Sequence, residues 1–180
     1  MVARPWVLLL AALAAPATSG PEVRGTYRLQ GSARVDARPF PATEQEVHAD
    51  AVLSPGARAG EVRIHLAGQG FACELLAALD AAGTLTLTRG QRCTIAFLND
   101  DTEGRIEAKL VSGRGRVSDE ALRLELSFSL AGSVRLRPGG SLAALGQALS
   151  LPGAGGDPVP VRGEASGRAE GRRDRSRMAE

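Results

Sequence analysis

The sequence is short of net charge, of long apolar runs and of aromatic residues, and each shortage excludes a class of protein. The 22 basic residues nearly balance the 20 acidic ones, so the chain has no broad electrostatic attraction to nucleic acid. The apolar run Trp6–Ala15 is too short to cross a bilayer, which takes about 20 residues. Aromatic residues make up 3% of the chain, too few for the aromatic girdles of outer-membrane strands. We expect no nucleic-acid partner and no stable membrane insertion.

Motifs that carry catalysis are missing as well. The sequence has no G-x-S-x-G turn, no phosphate-binding loop and no pair of carboxylates that can be assigned to an apolar pocket. No serine, histidine and aspartate form an obvious arrangement for nucleophilic catalysis. These absences predict a protein that is not an enzyme and that holds no cofactor.

The N-terminus has the three parts of a secretory signal peptide. Arg4 supplies a positive charge, the apolar run follows, and Ala15–Ala17 fits the small-x-small pattern that precedes cleavage. Ala17–Ser19 offers a second cleavage position, and nothing after Pro16 continues a helical period. We therefore predict that residues 1–17 are a signal peptide and that the protein is secreted or periplasmic, where thiols oxidise.

Apolar and polar residues alternate along most of the chain after the N-terminus. This period of two is typical of a β-strand with one wet face. One segment, "ELLAALDAAG", has helix formers, but we predict a strand over Phe71–Leu76 rather than a helical turn. The predicted inward sets include Tyr27, Leu29, Gly31, Ala33 and Val35; Val47, Ala49, Ala51 and Leu53; Val62, Ile64 and Leu66; Ile106, Ala108 and Leu110; and Leu122, Leu124, Leu126, Phe128 and Leu130.

The connections between these segments are short and rich in Gly, Pro, Asp and Asn, the residues that favour tight turns. Such connections leave no room for helical crossovers, so neighbouring strands should be antiparallel. The fold class predicted is all-β, an antiparallel meander of about seven to nine strands that forms a small barrel or a sandwich over residues 22–137. A barrel-like meander is favoured because successive hairpins dominate.

The only two cysteines are Cys73 and Cys93. Each shares its strand face with apolar residues, so both thiols should point inward. In an oxidising compartment such a pair predicts a disulfide, which would stabilise the fold by about 3 kcal/mol for a loop of roughly 20 residues. A metal site would need more ligands nearby, and a catalytic thiol would need an exposed thiolate beside a base.

Two polar clusters contain residues that can ligate metals, but neither predicts a metal site. His48, Asp50 and His65 lie on polar faces of adjacent strands, where scattered solvent-facing side chains are the simpler interpretation. The acidic stretch after Leu98 lacks the D-x-[DN]-x-[DN]-G spacing of a calcium loop and is better read as a hairpin turn. Its members are Asn99, Asp100, Asp101 and Glu103. We predict no metal site.

The C-terminal third changes character. Residues 138–153 place Leu142, Leu145 and Leu149 at helical spacing, which predicts a short helix and linker that covers an end or an edge of the sheet. Residues 154–171 alternate again and are a candidate strand that pairs with the first one and closes the fold. Residues 172–180 are expected to be a disordered tail.

Two functions are compatible with these expectations. The first is a non-enzymatic binding module whose interior, lined by residues such as Val47, Ile64, Leu124 and Phe128, holds a small apolar ligand. The alternative is a structural or protein-interaction component of the cell envelope. Small inward residues fit a cavity and close packing equally well, so a dry internal cavity would favour the first function and a filled core the second.

Overall fold

The computed structural model of the protein describes residues 24–68, 70–98, 102–137 and 156–174. Within these ranges the chain forms nine β-strands, and the prediction of an all-β antiparallel fold is confirmed. The strands are β1 Gly25–Arg38, β2 Thr43–Pro55, β3 Glu61–Gly68, β4 Phe71–Leu79, β5 Thr84–Leu87, β6 Arg92–Leu98, β7 Thr102–Val117, β8 Ala121–Leu136 and β9 Val159–Arg173.

The nine strands form one sheet whose pairings return to their starting point. The order is β3-β2-β1-β9-β8-β7-β5-β4-β6, and further pairings join β3 to β4 and β7 to β6. The short strands β5 and β6 follow one another along the same stretch of wall, between β4 and β7. The result is a ring of paired strands with one inner and one outer face.

The alternation of side chains along each strand determines which of them point into the ring. The inner face carries the alternating apolar residues, and no charged or polar residue is buried among the described residues. At one end of the ring the interior is packed solid, and its largest side chains have under 2% exposure. We call this the filled end; it includes the connections at residues 56–60 and 118–120. Its buried side chains include Tyr27, Leu53, Val62, Ile64, Leu75, Leu85 and Leu122.

The last strand, β9, lies between β1 and β8 and joins the two ends of the meander. Residues 159–171 of β9 lie within the candidate closing strand at 154–171, and Arg172 and Arg173, which we expected to belong to a disordered tail, continue the strand. Arg172 pairs with Arg28 on one side and Ala121 on the other, and the Arg173 amide donates to the Glu120 carbonyl at 2.8 Å. These main-chain bonds extend the strand to Arg173.

The segment "ELLAALDAAG" begins in a strand rather than in a helical turn, because β4 continues to Leu79 with partners on both sides. The predicted signal peptide at 1–17 and the predicted C-terminal helix at 138–153 lie outside the described residues. Most of the acidic stretch, Asn99 to Asp101, lies outside them too. Glu103 belongs to β7 and pairs with Arg135 at 3.3 Å.

Candidate functional site

The interior of the ring is not packed uniformly. Opposite the filled end lies an apolar cavity of about 220 Å³, half enclosed by the described residues. We call this the cavity end; it includes the connection at residues 39–42 and Gly70. The inward side chains around the cavity are almost all aliphatic or aromatic, and many are only half buried. They include Val35, Val47, Phe71, Ile95, Leu126 and Phe128.

The cavity exists because one wall is built from very small residues. Where β1 pairs with β9, Ala33 lies opposite Gly167 and Val35 lies opposite Ala165. Ala169 continues the same wall. Glycine has no side chain, and the alanine methyl groups do not reach the larger residues that β8 and β2 contribute from the other sides, so no described side chain fills the centre. The volume of the cavity therefore depends on the small residues of the β1–β9 wall.

Cys73 and Cys93 form the predicted disulfide, and both also line the cavity. Their Cα atoms are 5.0 Å apart and each residue is 6% exposed. They join β4 to β6 just beyond the two residue pairs that these strands share, Phe71 with Ile95 and Ala72 with Thr94. The disulfide therefore holds a stretch of the cavity wall in which the ladder of main-chain hydrogen bonds is short.

The side chain of Gln91, which the sequence did not identify as important, holds the part of this wall that the short ladder leaves unpaired. Between β5 and β6 the chain leaves the ladder, and the amide group of Gln91 takes the place of a strand. Its Oε1 accepts from the Leu76 amide at 2.6 Å, and its Nε2 donates to the Leu76 carbonyl at 3.0 Å and to the Thr88 carbonyl at 2.7 Å. The sequence signal was a lone glutamine in "TRGQ", which resembles an ordinary polar turn.

The residues predicted to line an interior cavity divide into two groups. Val47, Leu124 and Phe128 line it, as do the small residues Ala33 and Ala49. Ile64 and Ala51 are fully buried at the filled end instead, where they pack closely. Parity identified the inner face correctly but could not separate the packed end from the hollow one.

The side chains of His48, Asp50 and His65 lie on the outer face of the ring. His65 lies opposite Val52, four positions along the strand from His48, which is about 13 Å. Asp50 lies opposite Ala67 on that side. The His48 Nε2 is 3.9 Å from the Glu46 carboxylate, an exposed and loose contact. Within the described ranges no group of three or more metal-ligating side chains occurs.

The outer face carries two wider depressions, and both mix charges of opposite sign. In the first, Arg28 pairs with Asp174 and Arg123 pairs with Glu170, each at 2.9 Å. Because these charges already have partners and the surface is open to solvent, this depression favours no ligand of one charge.

The second depression is centred on Glu125, which joins three neighbouring strands. Its carboxylate accepts from Arg114 at 2.6 Å and lies 2.8 Å from Arg168. The hydrogen bond from Arg114, with the charges of both arginines, holds the pKa of Glu125 below its usual value of 4.5. This network braces the outer surface of β7, β8 and β9.

Comparison with protein-family models, with curated proteins and with solved structures finds no match for this chain. In the ranges that the structure describes, no helix has the length and hydropathy needed to span a membrane. The candidate site is therefore defined by its geometry alone, as an apolar cavity with one wall of small residues and one wall held by a disulfide.

Proposed function

We propose that the protein is a non-enzymatic binding module that holds a small apolar ligand in the cavity lined by Val47, Phe71, Ile95 and Phe128. The observation that carries the proposal is the cavity itself, about 220 Å³ and walled almost entirely by carbon. A filled interior would have favoured a purely structural role. Water in an apolar cavity of this size would find few hydrogen-bond partners, so the cavity favours a hydrocarbon over water.

The volume sets the size of the ligand. At about 30 Å³ for a water-sized group, 220 Å³ holds roughly seven such groups. An alkyl chain of about seven carbons or one substituted aromatic ring is a suitable occupant. Burying seven methylene groups at about 0.8 kcal/mol each sets the tightest Kd on the order of 0.1 mM, and the cost of association makes binding weaker than this. Gln45, an exposed polar residue on the inward face of β2 at the rim, is placed to meet a polar head group.

The test is binding of 1-octanol and toluene, followed by amide chemical shifts and by calorimetry. Ala165→Leu places a larger side chain in the cavity from the β1–β9 wall. This side chain should occupy the ligand's space and abolish binding while the fold is retained. Ala131→Leu is the matched control, because Ala131 lies on the exposed face of β8. Binding that Ala165→Leu leaves unchanged, or shifts that do not map to the cavity, would refute the proposal and favour a structural or interaction role in the cell envelope.

We also propose that the protein works outside the cytoplasm, secreted or periplasmic. The disulfide between Cys73 and Cys93 is compatible with an oxidising compartment, and the first 17 residues have the composition of a signal peptide. The intact mass of the exported product should show cleavage after Ala17 or nearby. A product that retains Met1 in a membrane fraction would contradict this.

A further inference from the structure

At the cavity end, strands β3 and β4 extend less far than the strands on either side of them. β2 pairs with β1 from Thr43 onward, but with β3 only from Ala49 onward. On the far side, β6 pairs with β7 as far as Leu98, but with β4 only as far as Ile95. Because β3 and β4 stop short, the described residues leave a notch two strands wide above them, about 14 Å from β2 to β6.

The main chain of β2 presents hydrogen-bonding groups to this notch. The His48 carbonyl oxygen lies on the β3 side, 2.9 Å from the position that a Cβ would occupy at Gly68. In an antiparallel strand the N–H and C=O of one residue point the same way and alternate from residue to residue. Glu44 and Glu46 therefore direct their main-chain groups into the notch, and in the described part of the chain no residue pairs with them there.

Natural proteins protect a free edge of this kind with charged side chains, proline, a bulge or a covering segment. The stretch of β2 from Thr43 to His48 has no proline and no bulge, and its register with β1 is unbroken, so charge is what protects it. Its outward side chains at 44 and 46 are both glutamates, and its inward side chains are Gln45 and Val47, which line the cavity. Among the described residues this edge is thus unpaired and regular, with two glutamates on its outer face and Gln45 beside the apolar Val47 on its inner face.

We propose that this edge binds an extended peptide segment of a partner protein in which basic and apolar residues alternate. The segment adds a strand beside β2, above the β3–β4 connection, by main-chain hydrogen bonds to Glu44 and Glu46. Residues directly opposite one another in a sheet share a face, so basic side chains lie opposite the two glutamates. The apolar side chains then point inward, against Val47 and Phe71 at the rim of the cavity.

This interaction goes beyond the binding of a small ligand and does not depend on it. The peptide is held by the strand edge and by charge, whereas the small ligand is held by the cavity volume. Ala165→Leu should therefore abolish octanol binding and leave peptide binding in place. The two proposals fail separately.

The probe is an eight-residue peptide of four Arg-Val repeats, compared with Glu-Val and Thr-Val peptides of the same length. The expected result is slowed hydrogen exchange at the amides of Glu44 and Glu46 when the Arg-Val peptide is added. The Glu-Val peptide should bind at least about fivefold more weakly, because two attractive cross-strand pairs become repulsive. The difference should shrink as salt is added.

Glu46→Pro is the decisive variant. It removes the one N–H that faces the middle of the notch but none that bonds to β1, so the β1–β2 ladder is retained. Peptide binding should be lost. If this variant fails to fold, Glu44→Gln with Glu46→Gln gives a second test: it should weaken the Arg-Val peptide and leave the Thr-Val peptide unchanged. Glu164→Gln is the control, since Glu164 is exposed on β9, a strand with neighbours on both sides.

Three results would overturn the proposal. The first is binding of the Arg-Val peptide that Glu46→Pro, or the double glutamine variant, does not reduce. The second is equal affinity for the Arg-Val and Glu-Val peptides. The third is protection of the Glu44 and Glu46 amides in the free protein that rises with protein concentration, which would mean that a second copy of the chain occupies the edge.

Discussion

The side-chain amide of Gln91 is hydrogen-bonded to both main-chain groups of Leu76, accepting from its N–H at 2.6 Å and donating to its C=O at 3.0 Å. One residue of a neighbouring antiparallel strand would make the same two bonds with its own N–H and C=O. Gln91 therefore continues the ladder where the main chain between β5 and β6 departs from it. Together with the disulfide, it holds the wall beside the cavity.

Replacing Gln91 should destabilise the ring. Gln91→Ala leaves the Leu76 N–H without its acceptor in a partly buried place, and we expect a loss of about 2 kcal/mol in the free energy of unfolding. Gln91→Glu keeps the acceptor but loses both donors, so it should also destabilise. Chemical denaturation measures both effects. Gln30→Ala, at an exposed position on β1, is the control and should change stability by less than about 0.5 kcal/mol.

The disulfide makes a separate contribution. Replacing both Cys73 and Cys93 by alanine, or reducing the bond, should lower the free energy of unfolding by about 2 to 4 kcal/mol, chiefly because the unfolded chain gains freedom. The strands and their register should persist, since neither cysteine supplies a polar contact. Thiol labelling of the native protein should be absent before reduction. Native-state labelling, or protection that a chelator removes, would contradict the disulfide.

Acid should weaken the turn between β4 and β5. The Asp80 carboxylate accepts from the amides of Ala82 and Thr84 at 2.9 and 2.8 Å. The hydrogen bond from the Thr84 amide, the largest cause, holds the pKa of Asp80 below its usual value of 3.8. A carboxylate whose folded pKa is lowered stabilises the protein fully above its unfolded pKa, and this contribution is lost as the pH falls through the folded value.

Asp80→Asn keeps an oxygen acceptor that does not titrate, so it isolates this effect. The stability of the unmodified protein relative to Asp80→Asn should be constant above about pH 5 and should fall as the pH is lowered below 3.8. Denaturation curves at a series of pH values measure the difference. A difference that does not vary with pH between 5 and 2 would contradict the role assigned to the carboxylate.

The alternation of apolar and polar residues was sufficient to predict the inner face. Every second residue of β8 from Leu122 to Leu130 faces inward, as parity required, and the same argument brought Cys73 and Cys93 together. These predictions succeed because side-chain direction in a strand follows from local geometry with a period of two.

Features that depend on distances across the ring could not be predicted in this way. Whether Ala33 and Ala165 leave a void depends on how far they lie from Phe128 and Val47, and that distance follows from closure of the ring. The role of Gln91 depends on a break in the ladder that no local pattern marks. The last strand extends to Arg173, past the residues that alternate, because β1 and β8 offer it partners there.

Gly31 and Gly167, on the β1–β9 wall, test how closely these two strands approach when the ring closes. A Cβ at Gly31 would overlap the carbonyl oxygen of Arg168 in β9, so the two backbones approach too closely there for any side chain. A Cβ at Gly167 would lie 3.1 Å from the Ser32 carbonyl oxygen and 3.3 Å from the Ala33 Cβ, a tight contact but one that small shifts relieve. Both glycines lie on the inner face of the β1–β9 pair.

Gly31→Ala should therefore lower the free energy of unfolding by about 1 to 3 kcal/mol, because β1 and β9 must move apart and the seam of the ring loosens. Gly167→Ala should change it by less than about 1 kcal/mol, since the reduced freedom of the unfolded chain offsets much of the crowding. Chemical denaturation gives both values. Hydrogen exchange should show faster exchange along β9 in Gly31→Ala only. Equal effects of the two substitutions would mean that β1 and β9 are not as closely apposed at Gly31 as the ring requires.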